Sequence, residues 1–347
     1  MSASQRTVTE MTNNDDLRAF STESDWFVTM TIPAPSNIDH AQDRFALEWR
    51  NARRQLSDRW GEEDIARLDD AIAGLHHHDA AAVVVVHARH GATFVELLDE
   101  PVSATTVHEG PVPRWATVVE SRQRVIAHVV VEADRAGADL TAFAGTVVVA
   151  TGTVDGSTLH IHRGHPGGWS QRRFQQRAEN TWENNARDVA DAVAAMARQV
   201  QAELIAVAGD VRAQAFVLDL LPTDVMAVAV KIEAGSPAGI ADEVVRLLST
   251  MVAERVTAAA ELVRSRLEHG TAAIDASDII DALRKGRVET LLVHDDGSDG
   301  DDADPMWLDG ARLVDRAIGA ALATDAEILV VPNLAMLDGP LAAVLRW

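Results

Sequence analysis

The sequence predicts an α/β fold in three domains, and three observations carry that expectation. Apolar residues recur with a period of two in short runs and of three to four in longer ones, so strands and helices share the chain. At 347 residues it exceeds the usual length of one domain. Clusters at Pro111-Val-Pro113 and Gly235-Ser-Pro-Ala-Gly239 punctuate it. The expected domains are a variable N-terminal α/β domain over 1–122, a middle α/β domain with a glycine loop and a long helix over 123–236, and a C-terminal α/β sandwich over 237–347.

Residues 1–24 are polar and unpatterned and read as a loose arm. Phe27–Ile32 alternates as a strand, and Ile38–Trp60 has helical spacing through Ala41, Phe45, Trp49 and Ala52. Asp64–Leu75 reads as a second helix, and Ala82–Val86 with Thr93–Leu98 as a hairpin around Arg89-His-Gly91. The middle domain opens with a helix or loop near Ser121. Strands follow at Ala127–Glu132, Leu140–Phe143, Val147–Ala150 and Leu159–Ile161. Phe174, Ala178, Trp182, Ala186, Val189, Val193, Met196, Val200 and Leu204 then form one apolar stripe on a long helix. Such a helix rigidly fixes the base of the loop ahead of it. Leu204–Ala208 and Ala215–Leu218 read as strands, with helices at Ile240–Glu268, Ala276–Lys285 and Leu313–Ala323 and strands at Thr290–His294 and Ile328–Val331. Asp295–Asp304 is acidic and glycine-rich and reads as a loop.

Cysteine is absent, which excludes disulfides, thiolate catalysis and cysteine zinc sites. No apolar run reaches membrane-spanning length and the N-terminus lacks an apolar signal core, so a soluble cytoplasmic protein without membrane contact is expected. A net charge of −22 opposes indiscriminate nucleic-acid binding. Distribution matters more than the sum. From His160 to Arg187 five arginines face two glutamates, a basic island suited to touching RNA at chosen places. Lysine occurs only at 231 and 285, a bias that genomic composition also explains.

Within that island, His165-Pro-Gly-Gly-Trp-Ser-Gln-Arg-Arg-Phe174 leads a glycine turn into a helix whose first turn is basic. Helix starts carry partial positive charge, so Arg172 and Arg173 add repulsion that an anion would relieve. With Ser170 as N-cap and Gly167 and Gly168 upstream, free amides and two guanidinium groups make a phosphate receptor. The plain alternative is a glycine turn with solvated arginines.

The same stretch resembles the central loop and following helix of class-1 release factors of eukaryotes and archaea. Gly167, Gly168, Ser170, Arg173 and Phe174 match, while Trp169 stands where that family carries glutamine. Asp281-Ala-Leu-Arg-Lys-Gly-Arg-Val-Glu-Thr-Leu-Leu-Val293 is similar to the third-domain helix and strand of release factors and Pelota. Leu337-Asp-Gly-Pro-Leu-Ala-Ala-Val-Leu-Arg-Trp347 resembles the terminus of both. The resemblance implies three mixed-sheet α/β domains that occupy the ribosomal A site as a tRNA-shaped protein, the middle loop reaching the peptidyl-transferase centre.

Two departures set the expected subtype. No Asn-Ile-Lys-Ser motif appears in the first domain, so codon reading is not implied. Trp169 has one N–H donor and no acceptor, and does not position water as a carboxamide does. A tip tryptophan suits stacking on a base or filling an apolar pocket, unless it folds back on its own domain. Bacterial relatives of Pelota of the Balon type resemble this pattern. They imply a non-enzymatic hibernation factor of the 70S ribosome, with His165, Gly167, Gly168, Trp169, Ser170, Gln171, Arg172, Arg173 and Arg177 at ribosomal RNA and elongation factor Tu or a related GTPase as a further partner. The enzymatic alternative is peptidyl-tRNA hydrolysis through a displaced Gln171.

Other constellations read as structural. His76-His-His78 with Asp79 cannot all face one ion, and His87 and His90 near the hairpin turn read as surface groups. Asp295–Asp302 fails the calcium-loop pattern at its third and final ligands. Glu132, Asp134, Asp139 and Asp210 flank strands as nuclease carboxylates do, with weak support. No phosphate-binding GxxxxGK[ST] occurs, so no nucleotide, metal or other cofactor is expected.

Overall fold

The computed structural model describes residues 13–34, 41–75, 80–134, 136–155, 168–297, 307–308, 310–332 and 339–347, with side chains of 41, 168–183 and 307–308 left aside. The chain forms two compact units: residues 124–253 belong to one, and 13–123 with 254–347 to the other. No helix among the described residues is long and apolar enough to cross a membrane.

The chain enters through a short helix, α1 (Asp15–Phe20), where a loose arm was expected. Leu17 and Phe20 lie three apart and share its inner face, and both are buried. Phe20 meets Trp115 edge-on, ring centroids 5.9 Å apart. Next come β1 (Phe27–Pro33), α2 (Ala41–Arg53), α3 (Glu62–Ala73), β2 (Ala82–Ala88), β3 (Thr93–Leu98) and β4 (Thr106–Gly110). The strands form an antiparallel sheet in the order β3-β2-β1-β4, and the expected hairpin is its β2–β3 pair. Strand β4, whose Thr-Val-His-Glu-Gly offers little apolar signal, is fixed by pairing with β1. One face of the sheet packs Val28, Met30, Val83 and Val85 against Phe45, Trp49 and Leu68 of α2 and α3.

Helix α4 (Ala116–Gln123) occupies the expected helix or loop near Ser121, and the middle unit follows it. Its elements are β5 (Ala127–Ala133), β6 (Gly137–Ala144), β7 (Val147–Asp155), α5 (Gly168–Val200), β8 (Leu204–Gly209), α6 (Val211–Leu220), α7 (Thr223–Met226) and β9 (Ala229–Lys231). The sheet order is β7-β6-β5-β8-β9, mixed in direction: β5 runs antiparallel to β6 and parallel to β8. Ala215–Leu218, expected as a strand, is helical within α6. A short apolar run does not distinguish a strand from a buried helix turn, and Asp210 decides the matter by accepting from Arg212 N at 3.0 Å and Ala213 N at 3.2 Å. Ahead of that cap, Gly209 adopts φ +107, and a Cβ there would lie 2.0 Å from the Ala133 carbonyl oxygen. Only glycine lets β8 end this close to β5.

Helices α5 and α6 cover one sheet face, burying Val189, Val193, Ala197 and Val217 on Val129, Val131 and Leu140. On the other face Ile240 and Val244 meet Ala206, Ala208 and Ile232. They belong to α8 (Pro237–Leu267), which takes in the end of the expected linker. Ser236 Oγ accepts from Gly239 N at 3.2 Å at its start.

The remaining elements are β10 (Ala272–Ala273), α9 (Ala276–Arg284), β11 (Val288–Val293), β12 (Trp307–Leu308), β13 (Ala311–Arg312), α10 (Leu313–Ala323), β14 (Glu327–Val330) and β15 (Leu341–Leu345). Their main sheet has the order β10-β15-β11-β14. Ile279, Leu283, Ile318 and Leu291 share one core with Leu17, Phe27, Trp115 and Val118 from the first segment. Gln123 of α4 joins them through paired hydrogen bonds to Val330 N and O, 2.9 and 2.8 Å.

Candidate functional site

The basic stretch singled out by sequence lies at the start of α5. His165 and Gly167 fall outside the described residues, as does the expected strand Leu159–Ile161. Gly168 is the first helical residue, so positions 169–173 and 177 all belong to the helix backbone. Ser170 is therefore within the first turn and is not the N-cap. Trp169, expected at the tip of the glycine turn, belongs to the helix.

What fixes this segment is the second half of α5. Ala186, Val189, Ala190, Val193, Ala194, Ala197 and Val200 are buried, one line of small and branched residues laid on the sheet. Asn185, just before Ala186, is buried with them. It borders a shallow cleft with Asp134, just past the end of β5, and with Arg212 and Phe216 of α6. Gly168 lies about 25 Å further along the helix at the standard rise. Strands β5, β6 and β7 lie against this helix of 33 residues. Positions 169, 173 and 177 follow one another at intervals of four and so run along one side.

The carboxylates considered for nuclease chemistry are engaged elsewhere. Asp134 Oδ1 accepts from Ala136 N and Gly137 N at 2.7 and 2.8 Å, closing the β5–β6 turn. Asp139 takes the Thr153 hydroxyl at 2.8 Å, and Asp210 caps α6. Glu132 stands directly opposite Asp139 in the strand register. Among the described residues no group of three or more His, Asp and Glu side chains is arranged to hold a metal ion. His76–Asp79 and most of the acidic loop lie outside those residues.

His87 departs from expectation: it is fully buried in β2. Its Nε2 lies 3.1 Å from Asp64 Oδ1 and its Nδ1 2.8 Å from the Thr93 hydroxyl, with the Trp60 ring 5.7 Å away. Only His90 is the exposed group that the hairpin turn suggests. Burial lowers the His87 pKa, outweighing the Asp64 hydrogen bond and charge that favour the imidazolium. Burial also opposes the Asp64 carboxylate. The hydrogen bonds from His87 and from His90 N outweigh it and hold Asp64 below its usual value. The alternation of β2 places residue 87 on the same face as Val83 and Val85, so its burial was readable from the strand period. Its partner Asp64, a helix residue 23 positions earlier, was not.

A second buried polar cluster, also invisible in sequence, ties the last segment together. Arg312 donates to Asp315 at 2.9 Å and to Asp295 at 2.8 Å. The described start of the acidic loop is thereby anchored.

Residues 127–272 match the model of bacterial archaeo-eukaryotic release factor family 2. Two Mycobacterium tuberculosis proteins, MT2704 of strain CDC 1551 / Oshkosh and Rv2629 of strain H37Rv, are each 26% identical over 268 residues, spanning 74% of this chain and 71% of their own. Among solved structures, archaeal Pelota from a ribosome-bound model with ABCE1 aligns with 97% of this chain and 94% of its own at 16% identity and a TM-score of 0.43. Dom34 of S. cerevisiae aligns with 96% and 92% at 10% identity and 0.43. The archaeal translation termination factor aRF1 aligns with 99% of both chains at 15% identity and 0.26. The matched residues 127–272 hold the mixed sheet and the whole of α5, so this part of the chain is similar to bacterial archaeo-eukaryotic release factor family 2.

Proposed function

We propose that this protein is a non-enzymatic ribosome-binding factor that fills the A site of idle or stalled 70S ribosomes. One observation carries the proposal: the release-factor family match spans α5, and at the start of that helix Trp169 replaces the glutamine of the resembling motif. Loss of the carboxamide removes the group that would position water, while an indole keeps a flat surface for stacking on a base. Arg172, Arg173 and Arg177 then meet ribosomal RNA phosphates near the peptidyl-transferase centre, with Gly167 and Gly168 allowing close backbone approach. Elongation factor Tu or a related translational GTPase is the further partner. Co-sedimentation with vacant 70S ribosomes tests the proposal: the wild-type chain pellets with them, and Trp169→Ala with Arg172→Glu and Arg173→Glu stays in the supernatant. Equal pelleting of both proteins overturns it.

The start of α5 at Gly168 brings Gln171 into the first helical turn, two residues from the family's glutamine position. That favours a second reading, peptidyl-tRNA hydrolysis in rescue or release. Single-turnover peptide release from stalled ribosomes separates the two. Release that disappears in Gln171→Ala supports the hydrolase, and absence of release in the wild type supports occupancy alone.

A further inference from the structure

We propose that Asp64, His87 and Thr93 form an acid-sensitive latch, which holds the first turn of α3 over the sheet and opens when His87 takes a second ring proton. In the closed form both His87 ring nitrogens and Asp64 Oδ1 are matched, while Asp64 Oδ2 and the Trp60 indole N–H are buried without a hydrogen-bond partner. The carboxylate of Asp64 only accepts, so Nε2–H of His87 donates to it and Nδ1 is left to accept from the Thr93 hydroxyl. Asp64 Oδ1 also accepts from His90 N at 2.8 Å, so one carboxylate joins α3 to both β2 and the β2–β3 turn. Arg67, one turn along α3, donates to the Gly91 carbonyl at 2.7 Å. On the other side of the turn Glu23 accepts from Ala92 N at 3.3 Å.

A second proton disrupts this arrangement in two ways. Nδ1–H needs an acceptor, which either the Ala92 carbonyl or a reversed Thr93 hydroxyl must supply. The new charge sits in a fully buried ring and within reach of the Arg67 field. Asp64 attracts the charge, yet burial outweighs that attraction. Glu109 stands in the same strand row beyond Val28, and its carboxylate is held by Ser57 N and Oγ at 2.8 and 2.6 Å. His90 is 70% exposed, its ring 3.4 Å from Asp64 Oδ2. His87 itself cannot leave, because β2 is paired on both sides by β1 and β3. What moves is the cover: Trp60 and the acidic first turn of α3, Glu62, Glu63 and Asp64.

Amide hydrogen exchange of the full chain between about pH 7.5 and 5.5, corrected for intrinsic rates, tests the latch. Protection in residues 60–68 and 88–93 is expected to fall by up to about tenfold per pH unit as pH drops from the ordinary histidine value of about 6.5 towards the lowered value of the closed form, the slope of one bound proton. His87→Gln supplies one donor and one acceptor without titrating and should keep protection flat. Flat protection in the wild type, or an equal fall in His87→Gln, overturns the proposal. Should that variant not fold, the wild type decides: loss of protection in residues 60–68 and 88–93 that tracks the His87 imidazole titration supports the latch, and protection unchanged across that titration overturns it.

Discussion

Arg346 Nη1 donates to the Gly286 carbonyl at 3.1 Å, while Nη2 reaches the Asp325 carbonyl at 2.9 Å and that of Thr324 at 3.3 Å. Gly286 follows the end of α9, and Thr324 and Asp325 follow the end of α10. One guanidinium therefore lies on the negative ends of two helices. The same bond brings together two of the motifs that resemble release factors, Asp281–Val293 and Leu337–Trp347, whose strands β11 and β15 pair antiparallel. Arg346→Ala should lower stability by about 1–2 kcal/mol, and Arg346→Lys should recover only part of it because lysine cannot span three carbonyls. Urea unfolding of the three proteins measures this.

Gly209→Ala should be far more severe. Its φ of +107 strains any side chain, and the new Cβ would overlap the Ala133 carbonyl oxygen unless β5 and β8 part. A loss of more than about 3 kcal/mol is expected, read as a collapse in soluble yield or melting temperature. Gly235→Ala, where a Cβ meets nothing within 4 Å, serves as the tolerated control.

Arg312 is buried between two carboxylates, so Arg312→Met leaves uncompensated charge and should destabilise by about 3–5 kcal/mol near neutral pH. The loss should shrink in acid. Burial opposes the charge on Asp295, but the Arg312 hydrogen bond outweighs it and holds the Asp295 pKa below 3.8. A depressed carboxylate contributes stability above its unfolded value and loses it as pH falls through the folded one. Burial raises the Asp315 pKa despite the same arginine, so that group favours the folded state as it protonates. Without Arg312 both carboxylates are harder to ionise, so the variant gains more than wild type from their protonation and the gap narrows below about pH 4, which urea unfolding across pH would detect.

The proposed phosphate contacts of Arg172 and Arg173 carry a salt signature. Replacing both by Glu should flatten the plot of log ribosome affinity against log salt by about one to two units, roughly one for each phosphate no longer neutralised. An unchanged slope with weakened binding would instead point to Trp169 and apolar packing.

The periodicities of the chain determined most elements: the β2–β3 hairpin, helix α5 up to Val200 and helix α10 lie where residue spacing puts them, although Leu204, the last member of the expected stripe, begins β8. They were legible because a helix or strand must turn one face inward, and that face is written in the local order of residues. The resemblance likewise points to the start of α5, on residues whose spacing is local.

Tertiary structure decided what covers each face. Leu17 and Phe20 made a helix of a polar arm only because Trp115 and Phe27 receive them, and Thr106–Gly110 became a strand only because β1 had an open edge. Asp210, accepting two backbone N–H groups, turned Ala215–Leu218 from strand to helix. His87 became a buried hydrogen-bonding centre because Asp64 and Thr93 meet it from two other elements. The order of residues specifies which groups are apolar or can hydrogen-bond, whereas which distant partner satisfies them is set by packing between elements.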